Sequence, residues 1–143
     1  MSSLPTTPRV FFENPLAVIL TEECGQYIRL VWKQAAWNLA AARTVMEQLL
    51  LCLHQTGWGK VIIKQPPLPT FPLAYHTWLL YDWFPRAEAA GGWCYALIPP
   101  KGLFAHVGFA DFLCQLRRRG VRLCVASSRE QALEWLIQQA PEA

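Results

Sequence analysis

The apolar residues of this chain fall into two periods. LAVILT (16–21) and QYIRLVWK (26–33) are β-branched and aromatic runs separated by EECG. In the second run Ile28, Leu30 and Trp32 alternate with Tyr27, Arg29 and Val31, the period of a half-buried strand. Together they predict an antiparallel hairpin. From Asn38 to Gln55 the period lengthens: Leu39, Ala42, Met46, Leu49, Leu50 and Leu53 share one stripe, which predicts a helix. Asn38 is placed to cap its start and Gly57 to end it. KVIIK (60–64) is short and apolar between breakers, as a buried strand is. QPPLPTFP (65–72) carries too many prolines to continue that strand and reads as a loop.

The next segment, YHTWLLYDWFPRAEAAGGWCYAL (75–97), holds three of the chain's seven tryptophans. On a wheel of about 100° per residue Tyr75, Trp78, Leu79 and Trp83 fall together, marking the face turned to the sheet, while Leu80 and Phe84 fall on the other side. Pro85 predicts a kink, after which RAEAA continues the helix to a stop at Gly91-Gly92. WCYALI (93–98) predicts a strand. Phe109, Phe112, Leu113 and Leu116 predict a helix ending at Gly120, and VRLCVA (121–126) another strand. Ser127 and Glu130 have capping-box spacing before the stripe Ala132, Leu133, Leu136 and Ile137. The order β-β-α-β-α-β-α-β-α implies an α/β fold: a single mainly parallel sheet with an N-terminal antiparallel hairpin, flanked by four helices. Residues 1–9 read as a disordered N-terminal tail and residues 10–143 as one domain.

Composition sharpens this picture. With 53% hydrophobic and only 16% charged residues, the 143-residue chain is expected to fold, to keep apolar surface after its core closes, and to cover that surface by self-association. A net charge of +3 is small, and the one basic cluster, Arg117, Arg118, Arg119 and Arg122, surrounds a predicted helix end where positive side chains suit the helix dipole. Nucleic acid is therefore not an expected partner. MSSLPTTPRV lacks the order of a secretory signal, and no apolar run reaches the ~20 residues of a membrane span. Five scattered cysteines without metal or redox spacing fit a reducing, cytoplasmic setting.

The segment W-x4-W-F-P-R (78–86), the strand WCYALI and A-L-E-W-L (132–136) resemble small bacterial proteins of the STAS/SpoIIAA-like family. That family is related in fold to anti-sigma-factor antagonists and, more distantly, to CRAL-TRIO lipid-binding domains. The resemblance covers about residues 10 to 140 in element order. It implies a STAS-like fold and a stand-alone domain more than a defined activity. Anti-sigma-factor antagonists carry a phosphorylatable serine at the start of the helix after a central strand. Here that junction reads IIKQPPLPTFP, with Thr70 its only hydroxyl and prolines where glycines would let backbone donors converge. The phosphate switch is therefore not carried over.

No phosphate-binding glycine loop, nucleophile elbow or zinc spacing is present, so no catalytic residue, cofactor or metal is assigned and a non-enzymatic role is expected. His54, His76 and His106 read as surface or helix-end residues. Cys94 or Cys124 near a histidine would be needed for thiol catalysis. Asp82 and Arg86, spaced i, i+4, read as a structural pair across the proline. The surface left for function comprises Thr70, Phe71, Trp78, Leu80, Tyr81, Phe84 and Arg86. The leading expectation is a homodimeric STAS-like module, regulatory or signalling, that works by protein-protein contact through this surface. The alternative is a carrier of a small apolar or lipid-like ligand in a pocket between the kinked helix and the sheet.

Overall fold

Among the described residues six strands form one sheet in the order β1-β2-β3-β4-β5-β6: β1 (Arg9–Glu13), β2 (Ala17–Glu22), β3 (Tyr27–Trp32), β4 (Lys60–Lys64), β5 (Cys94–Ile98) and β6 (Arg122–Val125). The computed structural model describes residues 8–33, 35–65, 73–99 and 103–140, and only the backbone of residues 103–108. β1 to β3 pair antiparallel and β3 to β6 pair parallel. The expected α/β class and mainly parallel sheet are thus present. The hairpin, however, is a three-stranded meander. β1 escapes the hydrophobic pattern because its register against β2 shifts between Val10 and Phe12, and such a bulge breaks strict alternation.

Among the described residues four helical segments cover the sheet: α1 (Leu39–Thr56), a composite helix over residues 73–89, α4 (Leu103–Arg118) and α5 (Arg129–Gln138). The composite helix comprises α2 (Leu73–Trp78), a π turn (Leu79–Trp83) and α3 (Phe84–Ala89). The cap residues of α1 are those its sequence specifies. Asn38 accepts from the Ala41 N–H at 2.8 Å, and Gly57, at φ 68°, donates to Leu53 at 2.9 Å. α5 starts one residue later than its expected box. Ser128 is the cap, accepting from the Gln131 N–H at 3.2 Å, and Ser127 instead donates to the Gln131 side chain.

Each parallel strand is followed in the sheet by the next one in the chain, so crossovers of one hand place α1, the composite helix and α4 on the same face. Ile28, Leu30, Trp32, Val61, Ile63, Tyr95 and Leu97 point into the main core with those helices. Tyr27, Ile62, Cys94 and Ala96 point the other way, against Ala132 and Leu136 of α5. No helix among the described residues is long and apolar enough to cross a membrane.

The kink expected at Pro85 takes the form of the π turn immediately before it. Phe84 donates its N–H five residues back, to the Leu79 carbonyl. An α-helical Pro85 would bring no donor to the Tyr81 carbonyl and would press its ring against it, so widening the preceding turn relieves both faults. The wide turn also rotates every later residue relative to a 3.6-residue wheel. The smaller angle per residue brings Phe84 nearer the side of Leu79 and Trp83, and Leu79, Leu80, Trp83 and Phe84 are all buried.

Candidate functional site

The composite helix lies between two neighbours on the sheet. Toward α1, Trp83 is wholly buried and donates its indole N–H to the Met46 carbonyl at 2.7 Å. Toward α4, Phe84 packs edge-on to Tyr95 at 5.2 Å and against Phe112 at 6.3 Å between ring centroids. This corrects the expectation that Leu80 and Phe84 lack cover: they are 4% and 8% exposed, because α4 closes over the side of the helix that faces away from α1. Trp78 differs in the opposite sense. It is only half-buried and carries the guanidinium groups of Arg43 and Arg86 at 5.2 and 5.9 Å from its ring.

Closure by α4 is incomplete at the end of the sheet where β5 and β6 begin, and a partly open cavity of about 310 Å³ remains there. Its apolar floor is Leu80, Phe84 and Tyr95. Pro85 and Glu88, from the same stripe of the composite helix, make one wall. Arg119, Gly120 and Val121, from the turn between α4 and β6, make the other with Arg122, the first residue of β6. Gly92 and Trp93 complete the lining, and a Cβ on Gly92 would stand 2.5 Å from the Tyr95 hydroxyl, so the bare glycine keeps that corner open. The volume is at the lower end of the ~300–1,000 Å³ found for small-molecule sites. Open α/β sheets usually bind ligands at the carboxyl ends of their strands; this cavity is at the opposite end.

Its charges are arranged by stacking on rings. Arg119 lies over Tyr81 at 4.3 Å and Arg122 over Trp93 at 5.5 Å, with Lys60 approaching the same Trp93 ring at 5.8 Å. Arg122 also donates to the Ala140 carbonyl at 3.2 Å. Burial, with a smaller contribution from Glu88, raises the Tyr95 hydroxyl well above the usual tyrosine range, so it stays protonated and able to donate. A second void, about 20 Å³, lies against Tyr75, His76 and Phe112. His76 stacks on Phe112 at 4.5 Å, and burial lowers its pKa to about 4.

Of the residues singled out from the sequence, Leu80 and Phe84 reach the cavity. Tyr81 stands outside it, 64% exposed under Arg119. Arg86 is engaged elsewhere: it bridges Asp82 at 2.8 Å and Glu47 of α1 at 2.5 Å, both at the surface. The structural reading of the Asp82 and Arg86 pair therefore holds, with Asp82 exposed. Thr70, Phe71 and the other residues of 66–72 lie outside the described residues, as does the His106 side chain. Glu88, Trp93, Tyr95, Arg119 and Arg122 also line the cavity, and no motif or spacing in the sequence marks them as site residues. The arginines were legible only as helix-end charges, although the aromatics they cover were already conspicuous.

Burial pushes the Cys94 thiol up to about 12 despite the nearby Lys60 and Arg122, and it also raises Cys124. Both are protonated at neutral pH, the inert form of a thiol. Among the described residues no three His, Cys, Asp or Glu side chains gather as a metal site would require. No protein-family model, curated protein or solved structure matches the chain significantly.

Proposed function

We propose that this protein works by binding rather than by catalysis, holding a small, largely apolar molecule between the composite helix and the sheet. One observation carries this reading. Leu80 and Phe84, the apolar residues left over by the helical wheel, are turned inward and with Tyr95 floor an open cavity. Concave apolar lining with a few polar groups at its rim is the usual form of a ligand site. The five free thiols suit a reducing, cytoplasmic setting for such a module. Kinship with STAS-like domains is likewise proposed, on the sequence features alone, and the binding role does not depend on it.

Native mass spectrometry of the protein purified from its host tests the reading: a co-purifying small molecule is expected, and it should be lost from Leu80→Trp, whose larger ring fills the floor. A ligand-free protein whose melting temperature responds to no compound in a broad metabolite panel would overturn it.

Self-association is the second reading. The composite helix exposes Leu73 (79%) and Tyr81 (64%), an apolar surface suited to a partner or a second copy. Sedimentation is expected to show a dimer weakened by Tyr81→Asp; a monomer at high micromolar concentration, indifferent to that change, removes this reading.

A further inference from the structure

We infer that the cavity is built for a compact zwitterion with an apolar body, the charge pattern of a free hydrophobic amino acid. This rests on the ligand-binding reading above and adds the charge of the occupant. The two walls carry opposite sign. Glu88 stands one turn beyond Phe84 on the helix wall, while Arg119 stands on the turn that follows α4 and Arg122 at the start of β6. Although they face one cavity, Glu88 and Arg119 form no ion pair with each other or with any other described residue. Arg29, Lys33 and Arg86, by contrast, each hold a carboxylate.

The geometry of Arg119 suits a carboxylate guest. Its guanidinium is held against the Tyr81 ring, and a stacked guanidinium keeps its in-plane N–H edges available for a planar, two-oxygen acceptor. Arg122 already donates to the Ala140 carbonyl, so it contributes charge rather than the leading contact. Across the cavity Glu88 is an acceptor for an ammonium group. The protonated Tyr95 hydroxyl and the open corner at Gly92 lie between the two walls.

The alternatives fit less well on charge alone. A wholly apolar guest would answer neither charged wall and would displace water from both without replacing it, which costs free energy. An anion is opposed by Glu88, and a cation by Arg119 and Arg122. A molecule with both charges on one carbon and an apolar side chain below satisfies the two walls and the floor together.

The test is calorimetric titration of the full chain with probes that share one indole body: L-tryptophan, indole-3-propionate, tryptamine and 3-methylindole, with L-phenylalanine and L-leucine as further zwitterions. At least one of the three amino acids is expected to bind about tenfold or more tightly than every singly charged or neutral probe. Glu88→Gln should remove that advantage while leaving indole-3-propionate as tight or tighter, and Arg119→Gln should remove it while sparing tryptamine. Both side chains are exposed, so the variants are expected to keep the parent's circular dichroism. If 3-methylindole binds as tightly as the amino acids, the zwitterion is refuted and the apolar-ligand reading survives. Tightest binding by indole-3-propionate or tryptamine also refutes the zwitterion and identifies a site of single charge. Failure of all six probes at millimolar concentration refutes the inference, and the host-purified protein then decides separately whether the cavity holds anything.

Discussion

The Trp83 indole N–H donates to the Met46 carbonyl at 2.7 Å, inside the domain, and so ties the π turn of the composite helix to the middle of α1. The bond locks the rotation of the helix that carries Leu80, Phe84 and Glu88 to the cavity. Trp83→Phe keeps most of the buried area but loses this bond and opens a small void, for an expected cost of roughly 2 kcal/mol. Trp83→Ala should cost about 3 to 5 kcal/mol. Midpoints of urea unfolding measure both. An unchanged midpoint in Trp83→Phe would show that the bond contributes nothing.

His76 makes stability depend on pH. Its folded pKa, lowered by burial to about 4, lies under the ordinary 6.5, so the unfolded chain takes up the proton first. Stability is complete above the unfolded value and falls as pH drops from 6.5 toward 4. The full loss is on the order of 3 kcal/mol. Glu47, held below the usual range by its hydrogen bond to Arg86, adds a loss at still lower pH, starting near its ordinary 4.5. Urea midpoints at about pH 7.5 and about pH 4.5 should therefore differ more in the parent than in His76→Phe. Equal differences in the two proteins contradict the assignment.

The thiols should separate by burial. Cys24 and Cys114 are exposed, whereas Cys52 and Cys94 are buried with their pKa pushed up to about 12. Mild alkylation at neutral pH followed by peptide mass spectrometry is expected to label the first two and to reach the second two only after unfolding. Rapid labelling of Cys94 in the native protein would revive a thiol-dependent reaction.

Gly57 and Gly59 both adopt left-handed φ, 68° and 73°, but in different surroundings. A Cβ on Gly57 meets nothing within 4 Å, so Gly57→Ala should cost only the conformational preference, about 1 kcal/mol. A Cβ on Gly59 would lie 2.3 Å from Cδ1 of Trp93 and 2.4 Å from the Gly91 carbonyl oxygen. Gly59→Ala should therefore cost roughly 2 to 4 kcal/mol and disturb the cavity wall through Trp93. Thermal unfolding of the two variants side by side distinguishes strain from collision; equal losses would mean that the Trp93 contact is readily relaxed.

Local sequence determined what local forces control. The periods of 2 and 3.6 set the element order from β2 onward, and Asn38 and Gly57 set the ends of α1, because side-chain alternation and capping bonds involve residues only a few positions apart. At Arg9–Glu13 the same logic missed a strand, since a bulge against β2 disturbs alternation and the partner strand decides the pairing. The wheel placed Leu79 and Trp83 correctly and misplaced Leu80 and Phe84 for a related reason. A π turn changes the angle per residue, and whether Leu80 and Phe84 meet water depends on α4, about thirty residues away in the chain. Tertiary structure alone brought Glu88, Tyr95 and Arg119 around one cavity: their chain separations carry no periodic signal, and only the parallel order of β5 and β6 places the α4 turn beside the composite helix.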